Sequence, residues 1–255
     1  MNSQQHGRID MELDEKEQIE IDFWKNSPTE NPESDSLSNI LNKMTDAQVF
    51  VDCLDRFKHI FADAETILEL GAGQGWASCI VKLLCPNAHV IVTDISKWAI
   101  DSVHKWEHIF QVKIDEVEVC KSYDIHVDDS SISCAFCFAS AHHFVAHRKT
   151  LAEICRILKP GGHCFYFYEP SCRAYLYRLT SWRMQSKGPK ATEDVLIYKE
   201  IQALAKATGL SCSLHFFPSL TKRGPSETIY FTILNLFPFL QKIFPCTINY
   251  HFTKP

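Results

Sequence analysis

The sequence has no tract of lysine and arginine. Its 26 basic residues are outnumbered by 31 acidic ones, and the net charge is −5. Binding to nucleic acid by bulk electrostatics is therefore not expected. It also lacks an uninterrupted apolar run of the roughly 20 residues that a membrane-spanning helix needs. The most apolar stretch, Ile229 to Pro245, is broken by Asn235, Pro238, Gln241 and Lys242, and reads as packed or interfacial. No basic-then-apolar leader opens the chain, so a cytoplasmic location is expected. The 11 cysteines are odd in number and scattered. Cys79, Cys134, Cys137, Cys155 and Cys164 fall inside apolar runs, where reduced cysteine acts as a small hydrophobe. Cys134 and Cys137 are spaced like half of a zinc site, but no second pair accompanies them. In a strand their odd separation sends the two thiols to opposite faces.

What is present is 255 residues, 45% of them hydrophobic, enough for one large α/β domain with or without an appendage. Residues 1 to 22 are polar and then acidic, and are expected to form a frayed terminus or a solvated helix face. Phe23-Trp24 follows, and then a loop rich in Ser, Pro and Asn over 26–39. Thr45-Asp46-Ala47-Gln48 reads as a capping box that opens a helix with Val49, Cys53, Leu54 and Phe57 on one face. From residue 66 onward strands alternate with helices. Strands are expected near 66–70, 89–93, 114–120, 133–139, 163–168, 211–217 and 247–252. Helices are expected near 75–85, 96–110 and 147–158, the last stopped by Lys159-Pro160-Gly161-Gly162. A further helix is capped by Thr192-Glu193-Asp194 and ended by Gly209. This alternation implies a mostly parallel sheet with helices on both faces. In such sheets the ligand lies at the carboxyl ends of the strands, where Glu69, Asp94, Ala139 and Glu169 are expected.

The densest signal is Thr66-Ile67-Leu68-Glu69-Leu70-Gly71-Ala72-Gly73-Gln74-Gly75. A buried strand runs into a glycine turn that lets a ligand approach the backbone. Asp94 ends the next apolar run and can accept two hydrogen bonds from the hydroxyls of a ribose. A nucleotide cofactor follows as the expectation. The spacing is not the G-x-G-x-x-G of a dinucleotide site, and Glu69 beside the turn repels phosphate. A ligand bearing an amine and a sulfonium suits it better.

At this point the chain resembles the class I S-adenosylmethionine-dependent methyltransferases of the small-molecule type, such as quinone-biosynthesis and natural-product enzymes. The resemblance covers about residues 62 to 217. It rests on Ile67–Gly75, on Asp94-Ile95-Ser96, and on Ile125–Ser133 followed by Cys134–Ser140. Ala141-His142-His143-Phe144 and Leu158-Lys159-Pro160-Gly161-Gly162 complete it. Two positions depart from the family pattern. Ser133 replaces an aspartate, and Lys121-Ser122 replaces a Gly-Asp whose carboxylate meets adenine.

The resemblance implies a Rossmann-like, seven-stranded, mostly parallel sheet, with residues 1–60 as a helical extension or lid. Residues 61–255 would form the methyltransferase domain, with an apolar insert at about 226–245. It implies S-adenosyl-L-methionine as cofactor and S-adenosyl-L-homocysteine as product. Gly71, Ala72, Gly73 and Gly75 would line the methionine part, and Glu69 and the carbonyls of Phe138 and Ala139 would meet the ammonium. Asp94 would take the ribose. Ile95, Ser122 and Tyr123 would frame adenine, and Trp24 would close over the cofactor. His142, His143 and Glu169 are the candidate catalytic or acceptor-orienting groups. The basic and aromatic residues of 170–191, with the insert, point to an apolar or amphipathic small acceptor. They also make 229–245 a candidate peripheral membrane contact or homodimer surface. Two alternatives stand beside this reading. One is a cofactor-binding regulatory protein without turnover. The other is a nucleic-acid methyltransferase, which Phe138-Ala139-Ser140-Ala141 disfavours because the Asn/Asp-Pro-Pro-aromatic tetrad is missing.

Overall fold

The computed structural model describes residues 15–27, 31–34, 36–185 and 194–255. The elements in chain order are α1 (Glu15–Asn26), α2 (Leu37–Asp55), α3 (Lys58–Ala62), β1 (Thr66–Leu70), α4 (Trp76–Leu84) and β2 (His89–Asp94). Then come α5 (Lys97–Ile100), α6 (Val103–Phe110), β3 (Glu116–Val119), β4 (Ile132–Phe138), α7 (His147–Ile157) and β5 (Leu158–Cys172). They are followed by α8 (Tyr177–Gln185), β6 (Leu196–Ile197), α9 (Tyr198–Ala207), β7 (Ser211–Phe216), α10 (Pro225–Leu236) and β8 (Cys246–Thr253). Short 3-10 turns cover Ala141–His143, Ala174–Leu176 and Pro238–Lys242.

The sheet has the order β3-β2-β1-β4-β5-β8-β7, with β6 paired to β5 beside this path. It therefore holds eight strands where the sequence predicted seven, because the two-residue β6 is too short to leave a periodic signal. Its strands are parallel except β8, which runs antiparallel between β5 and β7. The order reverses at β1, whose neighbours are β2 and β4. That reversal opens a crevice at the carboxyl ends of β1 and β4.

Side-chain alternation along the buried strands fills a layer on each face. Ile67, Cys134, Phe136, Phe165 and Phe167 meet α2, α3, α4 and α6 on one side. Leu68, Ala135, Cys137, Cys164 and Tyr166 meet α7 and α9 on the other. Cys134 and Cys137 thus point to opposite faces, as their spacing requires. Phe50 of α2 lies against Trp76, Phe136, Phe138 and Phe167, which ties the N-terminal helices into the same core as β1.

Several local expectations are corrected. Helix α2 is capped by Ser36, whose side chain accepts from Asn39 N, and runs straight through Thr45. Thr45 does not cap a helix there, because its hydroxyl donates to Leu41 O one turn back. The single helix expected over 96–110 is two, broken at Asp101-Ser102, where the Ser102 hydroxyl donates to Ala99 O. Helix α7 does end at Ile157 before Lys159–Gly162, but that segment already belongs to β5, since Gly161 N donates to Lys254 O and Lys254 N to Gly162 O. Thr192 and Glu193 of the second predicted cap lie outside the described residues, and α9 begins only at Tyr198, after β6.

Residues 1–14 also lie outside the described residues. The acidic segment that follows them is α1, which exposes Glu15 and Asp22 as a solvated face but does not expose all of its acidic run. Glu17 is buried, with its carboxylate 3.0 Å from Lys121 Nζ, and Tyr123 Oη donates to it at 2.7 Å.

Gly75 caps α4 with φ +76°, and a Cβ there would sit 2.1 Å from a Val103 methyl of α6. Both the left-handed backbone and the α4–α6 contact require glycine. Gly75→Ala is expected to lower unfolding stability by about 2 kcal/mol or more, measured by chemical denaturation.

His163, His215 and His251 form a cluster on the sheet, with His163 Nδ1 and His251 Nε2 2.9 Å apart. Burial and then the neighbouring imidazoles push His251 down to about 4. The unfolded chain takes up this proton near 6.5, whereas the folded chain stays neutral until about 4. The cluster therefore costs nothing above neutral pH and subtracts stability as the pH falls through that window. A pH series of denaturation midpoints should show this decline, and His251→Gln should make it shallower.

Candidate functional site

A cavity of about 450 Å³ opens at the carboxyl ends of β1, β2 and β4, between the glycine turn and α1. Its wall includes Trp24, Glu69, Gly71, Ala72, Gly73, Asp94, Ile95, Ser122, Tyr123, Phe138, Ala139, His142 and His143. These residues come from α1, β1, β2, β4 and the loops that follow the strands, and the topology brings them together at the switch in strand order. Two of the residues expected at the site are not on the wall. Gly75 packs on Val103 behind the turn, and Glu169 is fully enclosed behind His142.

The turn is fixed by two buried carboxylates. Asp94 accepts from Gly73 N with one oxygen and from Ser96 N with the other, each at 2.7 Å. Burial pushes its carboxyl up to about 6 even so. Glu69 accepts from Ser78 N at 3.0 Å and from the Ser78 hydroxyl, at the N-terminal turn of α4. Burial drives it up to about 8, against the pull of those bonds. Ionised or not, both carboxyls keep lone pairs for a donor in the cavity.

Gly73 has φ +54°, and a Cβ on it would lie 2.7 Å from the Trp24 ring. The indole thus lies directly on the bare backbone of the turn. Helix α1 carries Trp24 there and is pinned at two more points on the rim. Glu17 meets Lys121 and Tyr123, and Glu20 Oε2 lies 3.1 Å from His143 Nδ1. Burial alone would raise the Glu20 carboxyl, but the bond and charge of His143, with His142 behind it, hold it below the ordinary range. Lys121, one of the two departures from the family pattern, thus acts as the anchor for α1.

The wall beneath the histidines depends on a bulge. The pairing of β5 with β8 shifts between Tyr166 and Glu169, and Tyr168 takes φ +60°. Phe167 and Tyr168 consequently face the same side, and Glu169 turns to the other. The enclosed Glu169 accepts from Ser140 N, Ala141 N and His142 N at 2.8–3.1 Å, and pairs with His142 Nδ1 at 2.8 Å. Burial would raise this carboxyl, but the charge and bond of His142 and the backbone donors hold it below the ordinary range. Glu169 was expected at a strand end. It instead sits within the 15-residue β5, because β8 pairs with the strand beyond the bulge.

Sequence reasoning missed a further part of the cavity wall, made by Lys43, Asp46, Tyr168, Lys222 and Arg223. Lys222 Nζ pairs with Asp46 at 2.8 Å. The Arg223 guanidinium lies 3.9 Å from the Phe231 ring centre and 5.6 Å from that of Tyr168. Its Nη2 is enclosed and makes no hydrogen bond. The only trace of this group in the sequence is Lys222-Arg223 just before Gly224-Pro225, a pair that a surface loop would also carry.

A family model described as a methyltransferase domain matches residues 68–166. An uncharacterized 37.1 kDa protein of transposon TN4556 from Streptomyces fradiae is 29% identical over 119 residues, 44% of this chain and 34% of that protein. The match thus spans about a third of the curated relative's length. Geranyl diphosphate C-methyltransferase from Streptomyces coelicolor A3(2), solved with Mg2+, geranyl diphosphate and S-adenosyl-L-homocysteine, superposes with a TM-score of 0.67 at 12% identity. That likeness covers 96% of this chain and all of the other. Haemonchus contortus phosphoethanolamine N-methyltransferase 2, in complex with S-adenosyl-L-methionine, gives a TM-score of 0.61 at 13% identity over 93% of this chain and 60% of that one. Residues 68–166 thus match a methyltransferase domain, and the chain has the class I S-adenosylmethionine-dependent methyltransferase fold.

Proposed function

We propose that the protein transfers the methyl group of S-adenosyl-L-methionine to a small apolar or amphipathic acceptor, with residues 15–26 as a lid. The observation that carries this reading is one continuous cavity with a polar and an aromatic end. The polar end holds the bare Gly71–Gly73 backbone and the Asp94 carboxyl, and the aromatic end is made by Phe138 and Tyr168 near Arg223. About 450 Å³ is in the range of pockets that enclose a cofactor-sized ligand.

In this reading the Gly71–Gly73 backbone and the carbonyls of Phe138 and Ala139 receive the methionine part, with Glu69 beside its ammonium. Asp94 accepts from the ribose hydroxyls. Ile95, Ser122 and Tyr123 frame adenine, and Trp24 covers the turn. Bound there, the cofactor supplies an electrophilic methyl on a sulfonium with a neutral leaving group. The protein then has to align the acceptor and exclude water. Phe138 and Tyr168, stacked within 8° of parallel, make an apolar surface for the acceptor.

An acceptor that holds a proton at its nucleophile needs a base. His142 suits that role. Its Nδ1 donates to Glu169, which leaves Nε2 able to take a proton from the cavity side. Glu169 touches neither cofactor nor acceptor and is a positioning residue. His143 is engaged with Glu20 and serves the lid in this reading.

Titration calorimetry of the full chain should show binding of S-adenosyl-L-homocysteine, weakened about tenfold or more in Asp94→Asn. A folded wild-type chain that binds none would refute the proposal. With an acceptor found by homocysteine-release screening, His142→Ala should lower kcat about a hundredfold at unchanged cofactor affinity. Glu169→Gln should move the pH–rate profile, which a merely structural residue would leave in place.

A further inference from the structure

Helix α10 is apolar on two opposite faces. Phe231 and Leu234 turn inward to Cys246, with Tyr230 and Leu240 packed against them. Ile229, Ile233 and Leu236 share the outward face at i, i+4 and i+7, and are 65%, 43% and 67% exposed. Past the end of the helix, Phe237, Phe239, Ile243 and Phe244 are exposed as well. Tyr175, Leu179 and Trp182, on and just before α8, repeat the same spacing at 66%, 64% and 68% exposure. The two stripes are neighbours. Tyr175 Oη donates to Ile243 O at 3.1 Å, and Arg183 stands 4.0 Å from Glu227 at the start of α10. A helix at a protein surface ordinarily hides its one apolar face. Two outward stripes side by side form a patch of the size that marks an interaction surface.

Charge selects the occupant. Segments 170–185 and 225–245 carry Arg173, Arg178, Arg183 and Lys242 against the single carboxylate of Glu227, in a chain of net charge −5. A second copy related by a two-fold axis would set this basic rim against itself. An anionic lipid surface complements both the rim and the apolar centre. Trp, Tyr and Phe beside Arg and Lys are the side chains that settle at the boundary of headgroups and acyl chains. No helix among the described residues is long and apolar enough to cross a membrane, so the contact is with one leaflet.

We propose that the face made by α8, α10 and the Pro238–Lys242 turn docks on an anionic lipid bilayer. Lys222 and Arg223 of the cavity wall lie just before α10, and Arg223 stacks on Phe231 of that helix, so docking sets the aromatic end of the cavity near the headgroups. Delivery of an amphipathic acceptor by that route rests on the function proposed above, whereas the docking itself does not.

The test is flotation of the full chain with extruded vesicles of phosphatidylcholine alone and of phosphatidylcholine with one-third phosphatidylglycerol. Binding is expected only or chiefly to the anionic vesicles, and it should fall steeply when salt is raised from about 0.05 to about 0.5 M. Leu179→Ser with Leu236→Ser should lower partitioning about tenfold or more. Arg178→Gln should lower it about fivefold. Both variants alter exposed side chains and should keep the wild-type melting temperature and cofactor titration. Trp182 fluorescence should shift to the blue on the anionic vesicles, and Trp182→Phe should remove most of that shift. Absence of flotation with either vesicle would overturn the proposal. So would a dimer in light scattering that the same substitutions dissociate while vesicles bind nothing. A chain that floats but fails to bind S-adenosyl-L-homocysteine would leave the docking standing and remove the methyl-transfer reading.

Discussion

The site depends on where one buried carboxylate points. Glu169 holds three consecutive amides and an imidazole, and so fixes the turn from Ser140 to His142 at the end of β4. It reaches them only because β5 bulges at Tyr168, a tyrosine in the left-handed region. A non-glycine residue there costs about 1–3 kcal/mol, and the surrounding structure must over-determine it. Asn249 helps to do so, since its side chain accepts from Tyr168 N at 2.8 Å. The same bulge that turns Glu169 under the histidines turns Tyr168 onto Phe138. One backbone irregularity thus builds both the polar support and the apolar wall of the cavity.

The second constraint is long in sequence and short in space. Helix α1 sits on the rim through Glu17 to Lys121, Glu20 to His143, and Trp24 on Gly73. Ion pairs shielded from water return little net stability, because desolvation offsets most of the attraction. What they supply is a defined position. An element held by position more than by buried area suits a lid over a cleft whose ligand must come and go. Helix α10 meets the same cleft only through Phe231, on whose ring the Arg223 guanidinium lies. In this account the cofactor is covered from the α1 side, and the acceptor comes from the side of Arg223.

The β1 and β2 strands, the glycine turn and Asp94 were legible because each is a local pattern. Apolar β-formers, glycines and a terminal carboxylate follow one another within a few residues. The faces of α7 and of the Cys134/Cys137 pair were legible for the same reason, through helix and strand periods. Gly75 shows where local reading stops. Its positive φ was readable, but its neighbour is Val103 of another helix and not a ligand. Glu169 was placed at a strand end because a bulge has no period and a β8 partner 80 residues away leaves no mark nearby. Glu17 and Glu20 looked like a solvated acidic run, since only the fold reveals that Lys121 and His143 face them. Lys222 and Arg223 are ordinary loop residues until α10 folds back and sets them on the cavity.

The central claim is that the crevice between Gly73, Asp94 and Trp24 holds the methyl donor. A crystal structure of the full chain with S-adenosyl-L-homocysteine tests it most directly. The account predicts the amino-acid end of the ligand along the Gly71–Gly73 backbone, its ribose at Asp94, and its sulfur turned toward His142 and Tyr168. A ligand bound elsewhere, or one whose sulfur faces away from the Phe138–Tyr168 wall, would contradict it.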